Sequence, residues 1–367
     1  MNKAYRLIWS KAKERWIVAA EIVKGNGGPP PVTVAAAVLS TVLVFAATGA
    51  HALPIGGQVA AGQAAISTPS ATQMNITQGT NQAIVNWNSF GIGRGEAVNI
   101  SQPSASSTLL NRVLGNNPSE IFGSLTANGR VFLTNPSGIL FAPGASVNVG
   151  GLVASSLNIK DSDFLAGNYS FFKDGTAGSV INQGNISGGF VALLGNSVEN
   201  AGTIVTTKGS TGFAAGDEIT LGFDPAGLMA IKVDKGAYNA QISNSGVIEA
   251  DGGTVVMTAK AADALLGSVV NNSGVIRAQT MVERNGEIIL EGRALIQTGT
   301  LTAHSIKADV TNLIDAGQWD ASATSNGTVS GGSIAIHATN HIEQTASAVL
   351  NANGNATGVG GTIRIEA

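Results

Sequence analysis

The sequence predicts an all-β chain wound as a solenoid of stacked short strands, a parallel β-helix. Three observations point there. The first is composition: 48 glycines among 367 residues, 12% charged residues and 5% aromatics. Gly, Asn, Ser and Thr, all frequent here, favour turns and caps over helix interiors, and β-branched residues suit strands. The second is a succession of short apolar or alternating runs between turn signals. Val131-Phe132-Leu133 and Ile288-Ile289-Leu290 are of the first kind, and Thr254-Val255-Val256-Met257-Thr258 and Ser333-Ile334-Ala335-Ile336 of the second.

The third is an internal repeat, apolar-x-Asn-x-Gly-x-apolar. It occurs at Val180–Ile186, Val198–Ile204, Ile242–Ile248 and Val270–Ile276, with weaker copies around Gln297-Thr298-Gly299 and Asp315-Ala316-Gly317. Its glycines, Gly184, Gly202, Gly246, Gly274, Gly299 and Gly317, step by 18, 44, 28, 25 and 18 residues. Such steps suit one coil of a solenoid, or two coils or a coil with an insertion for the longest. Side chains alternate along a strand, so the apolar ends, the Asn and the Gly share one parity. Asn and Gly are expected at corners with positive φ, and stacking places like over like, with apolar ladders inside and Asn ladders at the corners. At roughly 4.8 Å per coil, about a dozen coils make a rod of about 60 Å. A β-sandwich is the competing fold, but it has no reason to repeat one unit at coil-like steps.

The N-terminus stands apart. Lys3, Arg6, Lys11, Lys13, Arg15 and Lys24 precede Gly25-Asn26-Gly27-Gly28-Pro29-Pro30-Pro31, an uncharged run from Val32 to about Gly49, and Ala50-His51-Ala52. That is the order of a secretory signal: basic region, apolar region, small-residue cleavage site. Cleavage is expected after Ala52, leaving Leu53 first; the competing reading is an uncleaved membrane anchor. Leu7, Ile8, Ala12, Trp16, Ala19 and Ala20 recur at helical spacing, the pattern of an amphipathic helix on a membrane surface. From Leu53 onward nothing beyond short pieces reads as helix; one candidate is Lys260–Leu266, a helical turn or a loop insertion. Losing residues 1–52 removes six bases and two acids, so the net charge becomes (20 − 6) − (23 − 2) = −7. A nucleic-acid partner is therefore not expected.

No constellation for catalysis stands out. G-x-S-x-G, H-E-x-x-H and the phosphate-loop pattern are absent. Gly91-Ile92-Gly93-Arg94-Gly95 reads as a turn without the helix that phosphate binding needs. His337 and His341 read as an exposed strand face, and Asp251-Gly252-Gly253 as a turn lacking the repeated acids of a calcium loop. Without cysteine, disulfides and Cys-based zinc sites are excluded. No catalytic residue, metal site or cofactor is assigned. Asp161, Asp163, Asp217 and Glu218, expected in loops, keep open a second reading, a carbohydrate-active β-helix enzyme that places paired acids on a sugar. A third, an autotransporter passenger, lacks here the run of amphipathic strands of a terminal barrel.

One stretch is more specific. It runs Asn111-Arg112-Val113-Leu114-Gly115, Pro118-Ser119-Glu120-Ile121-Phe122-Gly123, Gly129-Arg130-Val131-Phe132-Leu133, Asn135-Pro136-Ser137-Gly138-Ile139, Phe141, then Val149-Gly150-Gly151-Leu152-Val153-Ala154-Ser155-Ser156. It resembles the two-partner secretion domain of filamentous haemagglutinin-type exoproteins. Residues 1–52 resemble the extended signal peptide of large exported proteins. The resemblance implies a right-handed parallel β-helix with an N-terminal cap and small extra-helical β elements over 53–300. Residues 301–367 are expected to continue the repeats, and Gly360-Gly361-Thr362-Ile363-Arg364-Ile365 reads as an unfinished coil, of either a short member or a truncated front end. It also implies export, through periplasm and outer membrane of a Gram-negative bacterium, by a partner transporter with periplasmic modules. The membrane is met only during export, and the product is an adhesin or related surface protein with a host or surface receptor. The family's hallmark is Asn-Pro-Asn-Gly-Ile; here Ser137 stands third, which a type I turn accepts. The residues this assigns to transporter recognition or folding are Asn111, Arg112, Asn135, Pro136, Ser137, Gly138 and Ile139.

Overall fold

The computed structural model describes residues 5–10, 15–20, 52–223, 228–262, 269–280, 285–323, 330–355 and 357–367. The chain forms two compact units, Met1–Thr48 and Gly49–Ala367. In the first, Tyr5–Ser10 pairs antiparallel with Arg15–Ala20, Trp9 opposite Trp16. This corrects the helix expected there: Tyr5, Ile8, Trp9, Trp16, Ile17 and Val18 are strand formers, and their β preference prevails over the helical spacing. The apolar run and Ala50 lie outside the described residues.

The second unit is the solenoid. On its first face eleven strands stack in parallel register, beginning at residues 73, 97, 124, 146, 185, 203, 247, 275, 300, 318 and 349. Two further faces stack in the same way, for example 82–87 on 108–113 and 179–182 on 197–200. Identical parity in every coil builds inward columns. Ile186, Ile204, Ile248, Ile276, Leu301 and Trp319 lie directly over one another, each at most 1% exposed. Val180, Val198, Ile242, Val270, Leu295 and Leu313 form the matching column on the third face. Full burial of such a side chain contributes about 1.5–3 kcal/mol, so one column of six outweighs any single surface contact.

Antiparallel strands flank the first coil. Gln58–Ala61 pairs with the 82–87 strand and Ala64–Ser70 with Gln73–Gln78, with Ala64 and Ile66 packed on the core. Their remaining residues are largely exposed, which suits a polar cap on a solenoid end. The chain also leaves the coils twice. Strands Asn158–Ile159, Tyr169–Phe172, Glu218–Phe223 and Met229–Lys235 form a four-stranded antiparallel sheet beside the helix Asp161–Ala166. It covers outward-facing Ile84, Leu110, Phe132, Val153, Ala192 and Ala214 and makes a second core with Phe164, Tyr169 and Phe171. Phe132 meets Phe164 edge-on at 5.4 Å. Burial pushes the Tyr169 hydroxyl above its ordinary range, opposed by nearby Arg130.

Asp161 and Asp163 therefore begin a helix and do not lie in a loop. Phe164 sinks fully into the second core from that helix, and Gly167 at φ 77° ends it. Glu218 begins a strand and does not lie in a loop. Lys260–Ala262 carries only a bridge from Ala237 to Ala261, and the rest of that helical candidate lies outside the described residues.

The repeat behaves differently from its expected chemistry at the glycines. None of Gly184, Gly202, Gly246, Gly274 and Gly299 has positive φ. A Cβ at Gly202 would stand 2.2 Å from the Gly184 carbonyl, at Gly246 2.1 Å from that of Gly202, and at Gly274 2.2 Å from that of Gly246. Glycine is required there because successive backbones touch at the corner. Beside them runs the Asn ladder, wholly buried. Asn182 donates to Asn200 at 2.7 Å, Asn200 to Asn244 at 2.8 Å, Asn244 to Asn272 at 2.8 Å and Asn272 to Gln297 at 2.9 Å.

Candidate functional site

The residues singled out by the resemblance gather on the second to fourth coils. Asn135 follows the strand Ser124–Thr134 and is fully buried. Its backbone carbonyl accepts the Gly138 N–H at 2.9 Å and its side-chain oxygen the Ser137 N–H at 2.9 Å, closing the turn that Pro136 preorganises. Its amide nitrogen donates to the Asn117 carbonyl and the Ser119 hydroxyl, both at 3.0 Å, in the coil below. Its backbone N–H donates to Ser155 in the coil above at 2.9 Å. One side chain and its backbone thus join three successive coils.

Gly138 has φ 110°, which disfavours any side chain, and its carbonyl accepts the Ser119 N–H at 3.0 Å. Gly178, from the next coil, rests on the turn; a Cβ there would meet the Ser137 carbonyl at 2.5 Å. Ser137 takes part through its backbone, so Ser at the third position keeps the corner. Ile139 is 1% exposed and starts the strand Ile139–Phe141.

Asn111 and Arg112 are neighbours with opposite tasks. Asn111 points inward and its side-chain oxygen accepts the Trp87 indole N–H at 3.0 Å, satisfying a buried ring in the first coil. Arg112 points outward, is 8% exposed, and donates to the Asn158 side chain, the Ile159 carbonyl and the Asp161 carboxylate. It fastens the extra-helical sheet to the second coil. At the expected cleavage position, the Ala52 N–H donates to both oxygens of buried Glu96 at 3.1 Å, and Leu53 enters the main core at 8% exposure.

The acids of the enzyme reading face cations. Asp161 meets Arg112, Asp217 meets Lys173 at 3.4 Å, and Glu218 meets Lys235 at 3.8 Å. His337 lies exposed on its strand with Nδ1 3.0 Å from Asp309. Among the described residues no group of three or more His, Asp or Glu is placed to hold a metal ion. Asp251 acts as a brace, pairing with Arg277 and accepting the Gln279 N–H at 3.0 Å, beside Gly252 at φ 71°. The Gly91–Gly95 stretch is a turn whose Ile92 is fully buried.

The sequence reading missed the polar corner of the first coils. Gln102 donates to Gln78 at 2.9 Å and accepts the Gly129 N–H at 3.0 Å, and Gln78 donates to the Thr108 carbonyl at 3.0 Å. The signal was a 24-residue offset linking Met74-Asn75-Ile76 to Val98-Asn99-Ile100, residues that stack in register.

Comparison with known proteins fits this geometry. Residues 50–303 match the TPS secretion domain family, and residues 1–50 match the extended signal peptide of the type V secretion system. The chain is 35% identical over 268 residues to a heme/hemopexin-binding protein of Haemophilus influenzae (strain ATCC 51907 / DSM 11121 / KW20 / Rd), covering 69% of this chain and 29% of that one. A second Haemophilus influenzae protein of that name is 31% identical over 253 residues, 62% of this chain and 27% of its own length. The match thus spans less than a third of either relative. Among solved structures, the HMW1 secretion domain from Haemophilus influenzae aligns with a TM-score of 0.72 at 26% identity, covering 82% of this chain and 84% of that one. The match of residues 50–303, borne on a parallel β-helix, together with that of residues 1–50 to the extended signal peptide, identifies the chain as a member of the two-partner secretion domain family, exported through periplasm and outer membrane of Gram-negative bacteria.

Proposed function

We propose that residues 53–300 engage the periplasmic modules of a partner outer-membrane transporter as unfolded strands, and that Asn135–Ile139 serves the folding that follows. The observation that carries this is the burial of Asn135 within a turn bonded to the coils below and above. A fully buried side chain is not a contact surface for a partner of the folded domain. Strand edges of an unfolded β-helix suit strand addition onto such modules. Asn111 and Arg112 act in the same way, as braces of the first coils. The signal is removed after Ala52. Residues 301–367 extend the stack. The role is non-enzymatic, that of a surface protein of adhesin type; the relatives named for heme and hemopexin support a receptor-binding activity.

The test is export of the signal-bearing chain from cells with and without the candidate transporter, with Asn135→Ala alongside. Appearance in the medium only with the transporter is expected, and Asn135→Ala is expected to arrive in reduced amount and protease-sensitive. A pull-down of urea-unfolded chain with the isolated periplasmic modules is expected to be unaffected by Asn135→Ala. Loss of that binding would instead make the turn a recognition element. The same cells test the folding bias on transport: Ile248→Asp, in the core column, is expected to slow export.

A further inference from the structure

We infer that Glu96 is the receptor for the α-ammonium group that signal cleavage creates at Leu53, an inference that rests on the cut after Ala52 proposed above. Glu96 is 4% exposed, in the turn that leads into the strand Ala97–Ser101. Its Oε2 accepts the Gly93 N–H at 2.7 Å, and a Cβ at Gly93 would meet its carboxyl carbon at 3.0 Å, so the carboxylate is held in place. The Ala52 nitrogen sits 3.1 Å from Oε1 and 3.1 Å from Oε2. That bridging position is where a cation rests on a carboxylate.

Hydrolysis changes what occupies it. Water adds across the Ala52–Leu53 amide: its oxygen goes to the Ala52 carbonyl carbon, and the Leu53 nitrogen leaves as an amine. With an ordinary pKa of about 8, that amine takes up a proton from solvent at neutral pH and becomes an ammonium group with three N–H donors. Ala52 and its N–H depart with the signal. Consecutive backbone nitrogens are only about 3–3.5 Å apart, so the new cation arises beside the vacated seat.

The fold keeps it there. The Leu53 side chain is in the core, Pro54 fixes its own φ and confines Leu53 to extended backbone, and Ile55 exchanges hydrogen bonds with the opposite strand, its N–H to Ser89 and its carbonyl from Asn88, both at 2.9 Å. The Glu96 carbonyl accepts the Ser124 N–H at 2.9 Å, so the pair links the mature N-terminus to the second and third coils. Processing would thereby strengthen the end of the solenoid from which stacking starts.

The test uses the mature chain, 53–367, released with Leu53 first from a SUMO fusion, either with a free amine or α-acetylated by an N-terminal acetyltransferase. The acetyl group restores the amide that Ala52 supplied, so the fold accommodates it. Acetylation is expected to lower Tm by roughly 3 °C or more. Glu96→Gln is expected to cost the free-amine chain a similar amount and the acetylated chain almost nothing, since the two changes remove the same pair. Equal Tm for free and acetylated chains, or an equal Glu96→Gln loss in both, overturns the inference. If Glu96→Gln does not fold, the free-against-acetylated comparison decides alone. Intact mass of the exported protein separates the two readings. A start other than Leu53 overturns the cleavage site and this inference with it; a start at Leu53 without coupling overturns only the inference.

Discussion

The coils from Gln73 to Ser155 and those from Ser179 to Gln297 are built of the same three faces, yet they are held together differently. The early coils use contacts that occur once: Gln78 with Gln102, Trp87 with Asn111, Asn135 with Asn117 and Ser119, and Arg112 with the extra-helical sheet. The later coils repeat one device, the Asn rung beside a glycine whose neighbour is backbone. Repetition makes a stack easy to extend but leaves its register weakly specified, because a rung fits the rung of any neighbouring coil. Unique contacts specify register. The early coils therefore act as the template on which the later ones stack.

The largest expected effect is at the template. Asn135→Ala leaves the Asn117 carbonyl, the Ser119 hydroxyl and the Ser137 N–H without their buried partner, a loss of about 4 kcal/mol. Thermal unfolding of the mature chain checks this. Gly246→Val follows, at about 3 kcal/mol, because its Cβ would lie 2.1 Å from the Gly202 carbonyl and the backbone must yield. A loss no larger than that of Gly222→Val, at a half-buried strand position where the Cβ meets nothing within 4 Å, would contradict the close-approach account.

Arg112→Leu comes next, at about 2 kcal/mol, since the Asp161 partner is half-exposed and only part of the pairing is shielded. Limited proteolysis is expected to cut first within 156–178, the segment Arg112 fastens. The smallest effect is at Asp234, whose carboxyl is held below its ordinary range by hydrogen bonds from Lys232 and Thr220. A lowered folded-state pKa stabilises at neutral pH and loses that contribution as pH falls through it. Asp234→Asn is therefore expected to lower Tm slightly at about pH 7 and not at about pH 2.5.

The same contrast decides what was legible in the sequence. Repeated elements announce themselves: the Asn-x-Gly unit alone implies the solenoid, the inward columns and the ladder. Its glycines were given the wrong reason, since positive φ is a property of one residue whereas the contact of Gly246 with Gly202 needs two coils. The turn at Asn135 was legible as a turn from Asn-Pro-Ser-Gly. Its bonds to Asn117, Ser119 and Ser155 were not, because they depend on which residues stack. Likewise, Asp161 looked like a solvated loop acid until the second core drew Phe164 inward and made a helical turn of its surroundings. Over residues 5–10 and 15–20 a helical spacing masked a strand-forming composition, and the paired strands follow the composition.

Hydrogen exchange by mass spectrometry on the mature chain, comparing Asn135→Ala with Asn244→Ala, tests the template account most directly. Asn244→Ala removes two rungs, about 2 kcal/mol, and is expected to lower protection only in the coils around Asn200, Asn244 and Asn272. Asn135→Ala is expected to lower protection from Gln73 through the ladder to Gln297. Loss confined to the coil of Asn135, or an equally widespread loss from Asn244→Ala, would contradict it.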